Sequence, residues 1–163
     1  MKQLIHIYKL LKKDLDSVKA TISSALLDGS TKDAQPVVEY LLKHQGKQIR
    51  PVMVFLSAYL LKSSLTDLEH KQLIQAAAVI ELIHLASLVH DDVIDEANFR
   101  RGVKSVKSKF GNQVAVTMGV YLYSVALKLV SEIGSIPLLE ELSVTVKSMC
   151  EGELLQYSLK LSQ

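Results

Sequence analysis

Apolar residues recur every three to four positions along most of the chain, and this period predicts helices. No stretch alternates between apolar and polar residues for long enough to predict a strand. Asp28-Gly29-Ser30 ends the first helical stripe with turn residues, and Thr66 is placed to cap the fourth helix. Helices are therefore predicted over residues 3–27, 37–45, 51–61, 67–96, 112–133 and 137–161. The chain is expected to be all-α: one domain over residues 1–163, with about six helices.

The composition agrees with this class. Seven glycines and three prolines in 163 residues leave few helix breakers. A net charge of +2 is too small to predict binding to nucleic acid. The lone Cys150 excludes a disulfide scaffold within the chain and favours a reducing compartment, so we expect a cytoplasmic protein.

The most apolar stretch, residues 73–89, raises the question of a membrane span. It is about 17 residues long, against the roughly 20 that a span needs. It also contains Gln75, Glu81 and His84. We therefore expect the central helix of a bundle and no transmembrane span.

Acidic residues cluster at the end of the predicted fourth helix. Asp91 and Asp95 are four residues apart and project from one face, near the helix C-terminus, where the macrodipole disfavours anions. The repulsion between the two carboxylates and their position at the negative end of the helix dipole are both unfavourable, so a nearby cation would stabilise them. Oxygen ligands without nearby cysteine or paired histidine indicate Mg²⁺ rather than zinc. The alternative is an acidic helix end that is simply solvated.

Basic residues lie close to these carboxylates in sequence and at the start of the third helix. Arg100-Arg101-Gly102 follows the acidic cluster, and residues 46–51 (GKQIRP) open a helix whose N-terminus favours anions. Arginine and lysine bind phosphate oxygens well. Each cluster alone would be typical of a solvated surface, but together they indicate an anionic, phosphate-containing substrate. His84 is seven residues before Asp91 and falls on the same helix side; its alternative is a hydrogen-bonded core histidine.

These motifs resemble those of the trans-isoprenyl diphosphate synthases, or polyprenyl synthetases. GKQIRP is similar to the family's GGKRxRP. Residues 81–102, ELIHLASLVHDDVIDEANFRRG, match the first aspartate-rich motif, DDxxD, with its upstream histidine and trailing RRG. Residues 152–156, GELLQ, resemble GExxQ. The resemblance extends from about residue 35 to the C-terminus and implies an all-helical bundle of the isoprenoid synthase type, with a deep apolar cavity.

The resemblance also implies substrates and residue roles. The reaction would condense isopentenyl diphosphate with an allylic diphosphate, with Mg²⁺ as cofactor. The allylic C–O bond would break toward a carbocation, which the alkene of isopentenyl diphosphate attacks. Asp91, Asp92 and Asp95 would hold the metal. Asp91, Asp95 and Arg100 would be the catalytic residues, with Arg100 on the allylic diphosphate, and the isopentenyl diphosphate would contact Lys47, Arg50, His84 and Arg101.

Three of the residues that precede the aspartates in the fourth helix are relevant to product length. Ala86 and Ser87 are small at positions where short-chain family members often have aromatic rings, and Ile83 lies one turn further down. By that resemblance the cavity floor is open, which predicts a long-chain polyprenyl diphosphate. The alternative is ordinary packing of small helical residues.

The sequence also departs from the family. A second aspartate-rich motif and the Lys-Thr pair before it are absent from these 163 residues, so we expect the N-terminal half of the fold. Val120 replaces an aspartate and Gln48 replaces an arginine. The chain would be a fragment, a subunit of a heteromeric synthase, or one half of a homodimer. The alternative functions are a non-catalytic diphosphate-binding or regulatory subunit and a helical interaction protein without a ligand.

Overall fold

A computed structural model describes residues 2–161, and helices make up most of them. Short segments connect the helices, except after α5, where a two-stranded antiparallel hairpin pairs Phe99 with Lys104 and Arg100 with Val103. In chain order the elements are α1 Lys2–Leu10, α2 Lys12–Leu27, α3 Gln35–Lys43, α4 Ile49–Leu61, α5 Asp67–Ile94, β1 Phe99–Arg100, β2 Val103–Lys104, α6 Val106–Phe110, α7 Asn112–Ile133 and α8 Ile136–Leu161.

The all-α class is confirmed, but the described residues form eight helices rather than six. The predicted first helix is divided at Leu11, whose φ of −88° and ψ of 6° leave the helical range. The division is a kink and not a loop, because the Leu11 N–H still donates to the Ile7 carbonyl and its own carbonyl accepts from Leu15. The other added helix is α6, which lies in the polar and basic segment 98–111, for which the sequence predicts a loop with a short helix as the alternative. The Ser105 hydroxyl caps α6 by accepting from the Ser108 N–H at 3.1 Å.

The long helix α5 occupies the centre of the fold. Its most extensive contact is with α7, and α4 and α2 cover other sides. Gly119 of α7 lies against His90 of α5, and a Cβ at Gly119 would overlap the imidazole ring. Glycine at this position therefore allows the close approach of the two central helices.

Both ends of α5 have a local cause. Thr66 caps its start in a reciprocal capping box with Glu69, as the sequence predicted. The helix stops at Ile94, two residues earlier than expected, because Glu96 has a left-handed φ of 52°. The chain then folds back, and the Ala97 N–H donates to the Asp92 carbonyl at 3.0 Å.

The last helix, α8, is attached along one edge only. Leu138, Leu142 and Val146, spaced four residues apart, are its half-buried apolar residues, whereas the later turns are exposed. Two helices, α5 and α7, are long and apolar enough to cross a membrane by length and composition. That observation is weak evidence for a span, because the core helices of a bundle pass the same test and these two pack against each other.

Candidate functional site

Three segments meet at one end of the bundle: the end of α5, the hairpin β1–β2, and the loop before α4. Each of them contains one non-glycine residue with a left-handed backbone: Glu96 after α5, Arg101 in the hairpin, and Gln48 before α4, with φ between 52° and 54°. Such conformations are uncommon outside glycine and cluster at functional sites. The tight turns bring the basic segments toward the aspartates.

The hairpin positions both arginines of the RRG motif. Arg101 and Gly102 form its two-residue turn, with φ of 54° and 81°, the signs that a type I′ turn requires. Arg100 precedes the turn and pairs with Val103. From α3, the Tyr40 hydroxyl donates to the Lys104 carbonyl at 2.6 Å and ties the hairpin to the bundle.

Asp91 and Asp95 lie at the C-terminal end of α5. Asp91 belongs to the helix and is half-buried, while Asp95 is the exposed C-cap, whose N–H donates to the Asp91 carbonyl at 2.8 Å. Burial raises the pKa of Asp91, and the carboxylates of Glu153, Asp95 and Asp92 raise it further, while Arg100 opposes them. The carboxylates repel one another, so this end of the helix favours a bound cation.

Asp92 is placed differently from its neighbours. It is 3% exposed, and its Oδ1 accepts two hydrogen bonds from Arg100, from Nε at 2.8 Å and from Nη2 at 2.6 Å. The contact makes Arg100 a partly exposed guanidinium held against a buried carboxylate. In this structure Asp92 orients Arg100, and its direct role toward a metal stays a prediction.

His84 lies about two turns before Asp91 and three before Asp95, and it is half-buried. Burial and, to a smaller extent, the positive charges of Arg50, Arg101 and Arg100 lower its pKa to about 4. The imidazole is therefore neutral at pH 7. The three arginines come from α4 and the hairpin, so the two basic clusters of the sequence converge on His84.

The loop before α4 presents its residues in three different ways. Lys47 is exposed, and its carbonyl accepts from the Tyr8 hydroxyl at 2.6 Å. Gly46 lies against the Arg101 guanidinium, which a Cβ would overlap. Gln48, where the family has arginine, is buried, and its amide donates to the Leu15 carbonyl at 3.3 Å. Gln48 therefore anchors this loop to α2.

The residues predicted to set product length lie on different sides of α5. Ala86 is completely buried and Ile83 is 8% exposed, both within the apolar core. Ser87 is half-buried, and its hydroxyl donates to the His84 carbonyl at 2.9 Å. Ser87 lies on the same side of α5 as His84 and Asp91, whereas Ala86 lies on a different side. Their role as a cavity floor remains a prediction.

Two acidic residues at the site received no ligand role from the sequence. Glu153 of α8 is close enough to Asp91 to influence its pKa. Its position in the GELLQ motif was the feature of the sequence that could have pointed to a place at the site. Glu81 has a buried Oε2 atom with no hydrogen-bond partner, although it lies near Arg50 and Arg101. A glutamate three residues before His84 was visible in sequence, but its burial was not.

The donor set fits a magnesium ion shared with a phosphate ligand. Within residues 2–161, no group of three or more His, Cys, Asp or Glu side chains is arranged to hold a metal by itself. Mg²⁺ typically takes one or two carboxylates and completes its shell with water and substrate phosphate oxygens. Asp91 and Asp95 supply two carboxylates, and the adjacent arginines match the phosphate.

Comparison with known proteins gives a consistent result. The family described as "Polyprenyl synthetase" matches residues 31–162. Heptaprenyl diphosphate synthase component 2 of Geobacillus stearothermophilus is 37% identical over 152 residues, covering 91% of this chain and 45% of the relative. Octaprenyl diphosphate synthase of Escherichia coli (strain K12) is 35% identical, covering 84% of this chain and 42% of the relative.

Solved structures share the fold. A decaprenyl diphosphate synthase from Rhodobacter capsulatus superposes with a TM-score of 0.82 at 29% identity, over 94% of this chain and 46% of that one. A polyprenyl synthase from Caulobacter crescentus CB15, complexed with calcium and isoprenyl diphosphate, superposes with a TM-score of 0.81 at 30% identity, over 92% of this chain and 44% of that one. The chain thus spans less than half the length of these similar proteins.

Proposed function

The chain belongs to the polyprenyl synthetase family, and on that premise we propose that it carries one half of a trans-prenyltransferase site. The reaction condenses isopentenyl diphosphate with an allylic diphosphate. The observation that carries the proposal is the convergence of Arg50, Arg100 and Arg101 on His84 of α5, with Arg100 also close to Asp91 at the end of that helix. Carboxylates for a divalent cation and guanidinium groups for phosphates are the two requirements of a diphosphate site.

The chemistry follows from the charges. Asp91 and Asp95 would hold Mg²⁺, which when bound neutralises charge on the allylic diphosphate as it leaves. Arg100, oriented by Asp92, contacts the same diphosphate and stabilises the negative charge that develops as the C–O bond breaks. Lys47, Arg50, Arg101 and the neutral His84 orient isopentenyl diphosphate. Its alkene attacks the allylic cation, and a proton is then lost.

We propose a long-chain polyprenyl diphosphate as product. The small side chain of Ser87 on the substrate side of α5 leaves room for a growing chain, and the similar proteins named above are described as heptaprenyl, octaprenyl and decaprenyl diphosphate synthases. Ser87→Phe tests the cavity floor better than Ala86→Phe. A ring at the fully buried Ala86 would overpack the core at about 1–3 kcal/mol, whereas Ser87 is half-buried.

Full activity requires a second half. The similar proteins are more than twice as long as the matched region, and one of them is described as component 2 of a heptaprenyl diphosphate synthase. We propose that the missing metal-binding half comes from further sequence, from a different subunit, or from a second copy, in a cytoplasmic homo- or hetero-oligomer without a membrane span.

The test is turnover with defined partners. The chain is incubated with isopentenyl diphosphate, an allylic diphosphate and Mg²⁺, alone and with candidate second halves, and products are resolved by length. We expect long-chain product with the correct partner, and shorter product when that assembly carries Ser87→Phe. Asp91→Ala should abolish turnover.

The control separates catalysis from binding. Calorimetry measures allylic diphosphate binding with and without Mg²⁺, for the wild type and for Asp91→Ala. Binding that depends on Mg²⁺ without turnover in any pairing would assign the chain to the non-catalytic, diphosphate-binding class. Equal affinity with and without Mg²⁺ would contradict the assigned metal site.

A further inference from the structure

Glu81 is the least satisfied charged side chain near the diphosphate site. Its Oε2 atom is buried and has no hydrogen-bond partner among the described residues. Glu81, His84 and Arg101 line the same small cavity, whose other walls are mostly leucine and isoleucine side chains. A buried carboxylate without a hydrogen-bond partner is costly to keep ionised, so the charge on Glu81 depends on the nearby arginines.

Two charged groups lie near Glu81, each from a different element. Arg50 comes from α4 and Arg101 from the hairpin; both favour the carboxylate, yet burial outweighs them and raises the pKa of Glu81. Tyr8 of α1 faces it from another side, since Glu81 adds to the burial that raises the pKa of Tyr8. His84, one turn along α5, is neutral at pH 7 because its pKa is about 4. Neither arginine forms an ion pair with Glu81 among the described contacts.

A diphosphate changes this balance. It carries at least two negative charges and would be bound by Arg50 and Arg101, which are the groups that help to keep Glu81 ionised. An ionised Glu81 would then repel the ligand across the cavity that it shares with Arg101. A protonated Glu81 has a neutral O–H group that donates a hydrogen bond instead.

We propose that Glu81 takes up a proton from solvent when a diphosphate binds at Arg50 and Arg101, and then holds that diphosphate as a neutral hydrogen-bond donor. The proposal rests on the proposed function, because it assumes the diphosphate site. It differs from a positioning role, in which an anionic Glu81 would orient the arginines. The two roles predict opposite effects of the substitution Glu81→Gln.

The experiment measures proton uptake. The full chain is titrated with inorganic pyrophosphate by calorimetry at pH 7, without Mg²⁺, in two buffers of different ionisation enthalpy. The protons exchanged by pyrophosphate itself are the same for all variants, so the difference between wild type and Glu81→Gln isolates Glu81. We expect the wild type to take up about one proton more than Glu81→Gln, and Glu81→Gln to bind pyrophosphate at least as tightly, since its amide is a neutral donor.

Two further measurements complete the test. Glu81→Ala, which has no donor, should bind pyrophosphate about tenfold more weakly than Glu81→Gln. Infrared difference spectra of the wild type should gain a protonated-carboxyl band on binding pyrophosphate. The spectra need no variant, so the proposal stays testable if a substitution prevents folding.

The outcomes separate the two proposals. Equal proton uptake by wild type and Glu81→Gln, or weaker binding by Glu81→Gln with no infrared band in the wild type, would overturn the role of Glu81 and leave the diphosphate site intact. Failure of the wild type to bind pyrophosphate at all would overturn both the role of Glu81 and the proposed diphosphate site.

Discussion

Asp91 and Asp92 are neighbours in sequence, but their side chains have different environments. Burial, and then the neighbouring carboxylates, raise the pKa of Asp91, so the folded chain gains little from its charge. Asp92 is buried and accepts both hydrogen bonds from Arg100, so its charge stabilises the fold and orients a functional group. Among the residues that the structure describes, Asp91 is therefore not paired with an arginine, whereas Asp92 holds Arg100 in place.

This contrast predicts opposite consequences for two adjacent substitutions. Asp92→Ala should lower the free energy of unfolding by about 2 kcal/mol, since hydrogen bonds to charged groups contribute roughly 1.5–3 kcal/mol. Asp91→Ala should change the free energy of unfolding by less than about 0.5 kcal/mol, because removing this carboxylate also removes its repulsion with the neighbouring ones. Urea denaturation measures both variants. A larger loss for Asp91→Ala than for Asp92→Ala would contradict the pairing of Asp92 with Arg100.

Gly46 makes a second prediction for a single residue. In Gly46→Ala the added Cβ would displace the Arg101 guanidinium, which is the flexible end of a side chain, so stability should change by less than about 1 kcal/mol. Pyrophosphate affinity should fall roughly tenfold, or about 1.4 kcal/mol. Gly152→Ala is the matched control, because a Cβ there meets no neighbouring atom within 4 Å. Equal affinities for the two variants would show that Arg101 need not lie over Gly46.

At the level of elements, the hairpin depends on contacts made outside it. Its two strands have two residues each, too few to be stable alone. Tyr40 of α3 supplies the anchor: its hydroxyl bonds to Lys104, and its ring packs edge-on against Phe110 with centroids 5.6 Å apart. The position of Arg100 and Arg101 therefore depends on a helix that contributes no predicted ligand.

Tyr40→Phe should loosen the hairpin while keeping the ring contact. The lost hydrogen bond should lower the free energy of unfolding by about 0.5–1.5 kcal/mol, and amide hydrogen exchange should accelerate at Arg100 and Val103. Tyr59→Phe is the control, because the Tyr59 hydroxyl bonds to Asp14 at 3.2 Å, away from the hairpin. Unchanged exchange in Tyr40→Phe, or equal acceleration in both variants, would rule out the anchor.

The sequence predicted the elements that depend on local pattern. Helix α5, its Thr66 cap and the spacing of Asp91 and Asp95 follow from the 3.6-residue period and from capping rules. The hairpin was missed because its strands are too short to alternate and its turn requires a left-handed Arg101. The pairing of Asp92 with Arg100 was missed because it depends on how the chain folds back after α5.

For the whole molecule, the most informative feature is the exposed apolar surface of the last helix. We call it the α8 surface; its members are Leu154, Leu155, Tyr157 and Leu159, which are 57–69% exposed. No described element covers them. An exposed apolar surface of this kind indicates an interaction site, and burying it contributes roughly 25 cal/mol per Å².

The α8 surface should therefore drive association of the isolated chain. We expect an apparent mass that rises with concentration in light scattering, and the double substitution Leu154→Glu with Leu159→Glu should shift that transition to at least tenfold higher concentration. Leu60→Glu with Leu61→Glu is the matched control, because these leucines at the end of α4 are 86% and 90% exposed but lie outside the α8 surface. The same pair of α8 substitutions should also reduce turnover of an assembly with the second half, since we expect that half to pack on α8. An equal shift for the control pair would mean that exposed leucines associate without specificity, and α8 would lose its assigned role in assembly.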